Sequence, residues 1–387
     1  MPSNKDNKLF ELLRLALGTS QGVSFTLSKQ EWVSLYEQAS RQLLLGLFYN
    51  AICKLSSEQR PPISLVFQWA SEAETIRGQN ALLNRIAARL TEQLDSMNRK
   101  CAILKGPANA RLYPDAFARQ CGDIDIWVEG GREKVVGLLL QLGLLEPEKK
   151  QKGMSREAVI AEEKKKFSQM SPHHVHLQEK MDGVSVEVHF RPSSGNLNPF
   201  SNGRMQKFLE KEIGKTERVA EGFNVPSIRF ALVMQLSHIQ RHFVASGIGL
   251  KQVVDYAVLL QRSTAEDRSF VSANLKRFGL HHTAAALMWI FENLLGLNRE
   301  CLLCAPDKRR AELLLAEIFR GGAFGHYIPK VSTSFVRRFM HNWFHPLRHF
   351  TFDPAESLWG VLKHVEFFAS TIPMRIRVRK FSLKEFS

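Results

Sequence analysis

The run "GDIDIWV" at residues 122–128 sets the hardest constraint on this chain. It alternates as a strand does. Ile124, Ile126 and Val128 point to one face, and Asp123, Asp125 and Trp127 to the other. Two carboxylates two residues apart stand side by side and repel, and burying even one unpaired carboxylate is costly. A fold that keeps this strand inside must bring positive charge to it. A divalent cation between the two aspartates does so directly, because paired carboxylates are the ligands Mg²⁺ prefers, with phosphate oxygens and water completing its octahedron.

A third carboxylate follows in "HVHLQEKMDGVSVEVHF", which reads as a β-hairpin with Asp182-Gly183 at the turn. Val184, Val186, Val188 and Phe190 form its apolar face, and Ser185, Glu187 and His189 the opposite one. If the hairpin pairs beside the aspartate strand, Asp123, Asp125 and Glu187 form a triad of the kind that two-metal phosphoryl transfer requires. Glu187 would then hold an ion and the acceptor, or act as base. Upstream, "CAILKGPANARLY" reads as a short strand, a Lys105-Gly106 turn and a helix. Gly106 lets backbone N–H groups approach an anion at a helix N-terminus. Lys105 adds a charge for phosphate or for the aspartates, and Arg119, just before the strand, is placed to neutralise phosphate charge. His176 and His189 are expected to line an acceptor pocket. His174, His176 and His189 joining Glu187 around a transition metal is the alternative.

The rest of the chain reads as helical. "SKQEWVSLYEQASRQLLLGLFYNAIC" has Ser28 and Glu31 at capping-box spacing, then apolar residues at helical intervals through Leu43 and Leu47. Pro61 and Pro62 break the pattern, and a long helix is expected from about Leu65 to Met97. From Phe200 onward "SIRFALVMQLSHIQRHF", "LKQVVDYAVLLQRS" and "AAALMWIFENLLGL" all fit the helical period. Residues 146–170 are a charged insert with Lys164, Lys165 and Lys166 in a row. The tail "IPMRIRVRKF" is basic and alternating. The expected fold class is α+β. A mixed α/β core at residues 96–195 lies between an N-terminal helical region, 1–95, and a C-terminal helical domain, 196–387.

The order "LKG…R…DIDIWV…VEVHF" resembles the uncharacterised nucleotidyltransferase family of the DNA-polymerase-beta-like superfamily. A second block, "HIQRHFVASGIGLKQVVDYAVLL", resembles that family's helical segment, so the likeness spans roughly residues 30–265. The superfamily has a Gly-containing turn, an aspartate-x-aspartate strand and a later carboxylate, which fall on Gly106, on Asp123 and Asp125, and on Glu187. Many members carry Gly-Ser at the turn, where this chain has Lys105-Gly106-Pro107. The resemblance implies a polymerase-beta-like core and Mg²⁺-dependent transfer of a nucleoside monophosphate from ATP or another NTP to an acceptor. Mn²⁺ is the alternative ion. Lys251 is implied near the nucleotide or Asp125. The acceptor stays open among a small molecule, a sugar, a tRNA end and a protein side chain.

Composition narrows this further. A net charge of +15 over 387 residues favours phosphate-rich partners, whether nucleotides, nucleic acid or an anionic membrane surface, without choosing among them. No apolar run reaches the ~18 residues of a membrane span. The five scattered cysteines argue against a disulfide framework, so a reducing cytoplasmic setting is expected. The single pair Cys301 and Cys304 reads as chance. His238 and His242 share a helix face without the glutamate of a metalloprotease motif and read as packing groups. Lys164–Lys166 read as a solvated run, and the tail residues Arg375, Arg377 and Arg379 read either as a nucleic-acid- or anionic-lipid-binding stretch or as solvated surface. A non-catalytic nucleic-acid-binding or scaffolding protein on the same fold, and a toxin-like transferase acting on tRNA or protein, are the competing functions.

Overall fold

The structure is a computed structural model that describes residues 4–146, 171–177, 180–245, 247–322 and 344–377. Lys164–Lys166, with most of the charged insert, and Arg379 lie outside the described residues. The fold is α+β, a small mixed sheet set among helices. Among the described residues, no helix is long and apolar enough to cross a membrane.

Four helices precede the sheet: α1 (Asn4–Leu17), α2 (Lys29–Arg41), α3 (Leu45–Lys54) and α4 (Ile63–Ser96). The capping box forms as expected, with Ser28 and Glu31 satisfying each other's backbone N–H groups. The single helix expected through Leu47 does not form. The chain breaks at Leu43, which has a positive φ of 57°. Gln42 holds the break, because its side chain donates to the Ile318 carbonyl at 3.0 Å and accepts from the Leu250 N–H at 2.7 Å. The turn brings Gly46 of α3 against the loop before the aspartate strand. A Cβ on Gly46 would lie 2.3 Å from the Ala118 carbonyl oxygen, so no larger residue fits there.

The sheet has the order β1 (Cys101–Ile103), β2 (Asp123–Val128), β4 (Ser185–His189), β3 (His174–His176). β1 runs antiparallel to β2, β2 parallel to β4, and β3 antiparallel to β4. The expected hairpin is present. Asp182 and Gly183 both take positive φ at its turn, and Met181 and Val184 exchange backbone hydrogen bonds of 2.9 Å. A short helix, α5 (Pro107–Ala110), follows β1, and α6 (Gly131–Gln141) follows β2.

Strand alternation divides the sheet between two cores. Cys101, Ile103, Ile124, Ile126, Val175, Val186 and Val188 pack with Leu83, Ile86 and Leu90 of α4 and Val135 and Leu139 of α6. Ala102, Leu104 and Trp127 face the other way, into a larger core shared by the first helices and the later ones. Asp123, Asp125 and Glu187 lie on this second face, at its open end.

Beyond the sheet come α7 (Pro199–Glu212), α8 (Ile228–Ala245), α9 (Leu250–Arg262), α10 (Ala265–Asn274), α11 (His281–Asn293), α12 (Lys308–Gly321) and α13 (Pro354–Arg377). Two expectations need correction. Residues after Phe200 are not all helical, since β5 (Thr216–Arg218) and β6 (Asn224–Pro226) pair antiparallel. They are too short to carry a visible alternation, and Phe223 and Val225 anchor them under the sheet. The alternating basic tail begins inside α13, where residues 372–377 are helical. Alternation over so few residues competes poorly with a helix already propagating from Pro354.

Candidate functional site

The register sets the three carboxylates on one face of the sheet. In the parallel pair, Asp123 lies opposite Ser185 and Asp125 opposite Glu187. Side chains at paired positions of adjacent strands share a face, so Asp123, Asp125 and Glu187 lie on one face at one end of the sheet; Asp125, Glu187 and His189 offer ligand atoms within 4.8 Å of one another, and Asp123 belongs to no such group among the described residues. The three carboxylates form the floor of a cleft of about 360 Å³, walled by the Lys105-Gly106 turn, the residues after β4, and α8 and α9.

Asp125 is buried and heavily supported. Lys105 Nζ and His189 Nε2 each lie 3.0 Å from its Oδ1. Burial pushes this carboxyl up, but Lys105 and His189 outweigh burial and hold it well below the usual range. Lys105 correspondingly stays an ammonium, since its carboxylate neighbours overcome the cost of burial. Asp123 behaves oppositely. It opens to the cleft mouth, and among the described residues no cation forms an ion pair with it. The Asp125 charge, then burial, push its carboxyl up. Glu187 is pulled below its ordinary value, because hydrogen bonding from His189 overcomes burial, and His189 Nε2 lies 3.7 Å from Glu187 Oε2.

The turn takes the form that glycine permits. Gly106 has a φ of 62°, and a Cβ there would meet the Asp123 carbonyl oxygen at 2.9 Å. Pro107 has no N–H, and the Ala108 and Asn109 amides bond the Lys105 and Gly106 carbonyls. The charged group that the turn presents is therefore Lys105, and it is paired with an aspartate.

Arg119 lines the cleft but is committed elsewhere. It grips Asp255 of α9 with two bonds, Nε to Oδ1 and Nη2 to Oδ2, both 2.6 Å, and its Nη1 donates to Cys121 Sγ at 2.9 Å. The Tyr113 hydroxyl donates to the same Asp255 Oδ1 at 2.6 Å. This buried cluster fixes the loop that delivers β2. The same loop is held by Asn80 of α4, which donates to the Phe117 and Arg119 carbonyls at 2.8 Å each. Lys251 also reaches it, donating to the Gln120 carbonyl at 3.1 Å. Lys251 lies in the cleft wall, and burial pulls its pKa down to about 8.

The histidines gather at the Glu187 end. His174 Nδ1 and His176 Nδ1 lie 3.6 and 3.5 Å from the Glu187 oxygens. His174 Nε2 meets His176 Nε2 at 3.0 Å, and His173 Nε2 meets His174 Nδ1 at 2.9 Å. His176 sits at the open edge, whereas His189 is buried behind the carboxylates. On the far wall, His238, Arg241 and His242 of α8 face the cleft. Burial drives both of these histidines toward the neutral form.

Three contributors escape sequence reasoning. Asp255 shares a helix face with Lys251 but shows no sign of its partner, which lies 136 residues away. His173 precedes its strand and carries no alternation signal. Arg241 lies between two histidines of α8, and a cation beside them on a largely apolar helix was the available clue. It forms no ion pair among the described residues, and burial pulls its pKa down.

A search of curated proteins returned no match. The sequence profile of the family described as uncharacterised nucleotidyltransferase matches residues 28–296. That span takes in the Lys105-Gly106 turn, both carboxylate strands and the helices α8 and α9 that wall the cleft, and the chain belongs to this family.

Proposed function

We propose that the protein transfers a nucleoside monophosphate from an NTP to an acceptor hydroxyl or similar group, in a Mg²⁺-dependent reaction that releases pyrophosphate. The register that sets Asp125 opposite Glu187, with Asp123 two residues along the same face, is the observation that carries this proposal. The residues fit the ion. Asp123 and Asp125 repel across one strand face, and Asp123 has no cation of its own among the described residues. Asp123, Asp125 and Glu187 would hold Mg²⁺ through oxygen. Bound there, the ion would neutralise phosphate charge and polarise the reacting oxygens.

The chain's own groups account for the rest. Lys105 keeps Asp125 ionised. Lys251 and Arg241, on the helical wall, are placed for the triphosphate. Arg119, clamped on Asp255, holds the loop that positions Asp123. As the acceptor oxygen bonds to the α-phosphorus, the bond to the pyrophosphate oxygen breaks. The hydroxyl proton passes to Glu187, with His176 beside it at the open edge where an acceptor enters.

Incubation with each α-labelled NTP, Mg²⁺ and a cell extract tests the proposal. Wild-type protein should place label on an acceptor, and Asp123→Asn/Asp125→Asn should not. Undiminished labelling by the double variant refutes it.

A further inference from the structure

The imidazoles beside Glu187 exceed what oxygen-based Mg²⁺ chemistry uses. β3 sets His176 opposite Glu187 and His174 opposite His189 on the same face of the sheet. His189 is bound to Asp125 at 3.0 Å, which leaves His174, His176 and Glu187 as a set that reaches solvent through His176. One nitrogen from each of these two histidines and one Glu187 oxygen all lie within 4.8 Å of one another. The two Nε2 atoms are 3.0 Å apart. A tetrahedral ion with bonds of about 2.0–2.1 Å would hold two nitrogens about 3.4 Å apart, so a small relaxation would admit one.

The surroundings match those of a metal-binding histidine. Ligating imidazoles usually bond a partner through their second nitrogen, which fixes the ring and aims the first. His174 does this: its Nδ1 meets His173 Nε2 at 2.9 Å, and Ser171 Oγ lies 3.2 Å from His173 Nδ1. The His176 side chain is 42% exposed, so a fourth position would face the cleft mouth.

We propose that His174, His176 and Glu187 form a second cation site, for a borderline transition metal such as Zn²⁺ or Co²⁺, beside the all-oxygen position at Asp123 and Asp125. Two imidazoles and one carboxylate suit such ions and not Mg²⁺, which favours oxygen. The two sites share Glu187, so occupation of one adjusts the other. Metal binding here does not depend on the reaction proposed above.

The test uses tag-free, full-length, chelator-treated protein titrated with Co²⁺ and followed by visible absorption. The expected result is saturation with the intense bands of tetrahedral cobalt, displacement by Zn²⁺, and at most a few-fold weakening, without displacement, in excess Mg²⁺. His176→Ala should weaken Co²⁺ binding by about 100-fold, because loss of even an outer partner costs roughly 10- to 100-fold. His173→Ala should weaken it by about tenfold. His176 is partly exposed, so its variant should melt with wild type, and a melting scan checks this. A weak octahedral spectrum, displacement by Mg²⁺, or unchanged affinity in a folded His176→Ala protein overturns the site. Calorimetry with Mg²⁺ and each NTP on the same preparations separates the two proposals. Nucleotide binding without tetrahedral cobalt overturns this site alone, and cobalt binding without nucleotide binding overturns the transferase assignment alone.

Discussion

Arg119→Met distinguishes a structural clamp from a phosphate ligand. Arg119 and Asp255 are 5% and 4% exposed and form a two-pronged ion pair, so removing the guanidinium leaves a buried carboxylate. Breaking such a pair from one side costs about 3–5 kcal/mol, because the remaining charge has lost its compensation without regaining water. Asp255 would keep the Tyr113 hydroxyl, and Lys251 stands close enough to feel its charge, which places the cost toward the lower end of that range. For a chain of this size the loss corresponds to a melting temperature lower by about 4–6 °C.

The assay pairs thermal melting with Mg²⁺–NTP calorimetry below the melting transition. Arg119→Met and Asp255→Leu should each be destabilised. The double variant should recover most of the loss, since replacing both partners by apolar groups is often neutral, less about 1 kcal/mol for the orphaned Tyr113 hydroxyl. Nucleotide affinity of the folded single variant should change no more than a few-fold. The opposite outcome, an Arg119→Met protein that melts with wild type and loses nucleotide binding, would show the arginine to be a phosphate ligand and refute the clamp.

Three other outcomes follow from the same geometry. Gly106→Ala forces a φ of 62° on an L-residue and drives a Cβ toward the Asp123 carbonyl, so a loss of about 1–3 kcal/mol and weaker Mg²⁺–NTP binding are expected from melting and calorimetry. Lys251, with its pKa pulled down to about 8, is charged below that pH, so triphosphate affinity should fall as pH rises through about 8. Lys251→Met should bind more weakly and flatten this alkaline loss. Burial raises the Glu356 carboxyl from 4.5 to about 7, against the Leu197 and Asn198 N–H groups that favour its ionised form. A folded-state pKa above the unfolded one contributes stability below pH 4.5 that is lost as pH rises through about 7, and the decline is worth about 3 kcal/mol. The stability of wild type relative to Glu356→Gln should therefore fall by that amount across the window in urea melts, while the histidine contributions common to both cancel.

The parts of this molecule that were legible in its sequence are those governed by period. Alternation in "DIDIWV" and "VSVEVHF" gave both strands and the face of each carboxylate, and Asp182-Gly183 gave the turn. Period alone does not pair strands. The parallel contact between β2 and β4 depends on a crossover through α6 and β3, and it decides that Asp125 meets Glu187 and not Ser185. Long-range charge pairing was likewise hidden. Arg119 reads as a free cation next to an acidic strand until Asp255 is folded against it. The break at Leu43 depends on Gln42 finding the Ile318 and Leu250 backbones, and no local signal near residue 43 anticipates partners so far along the chain.

Helices from both ends of the chain converge on the loop before Asp123, and this explains how so small a sheet can hold repelling charges. Gly46 touches Ala118, Asn80 takes two loop carbonyls, Lys251 takes a third, and Asp255 takes Arg119. With the backbone fixed from several sides, the carboxylates cannot relieve their repulsion by moving apart. The relief is electrostatic, and it is uneven. Lys105 and His189 converge on one oxygen of Asp125 and keep that residue ionised, while Asp123, which forms no ion pair among the described residues, has its carboxyl pushed up by the Asp125 charge and by burial. Asp125 is thus held as an anion more firmly than Asp123. In the proposed reaction, a cation arriving with a nucleotide would gain most from Asp123, the carboxylate that faces the cleft mouth.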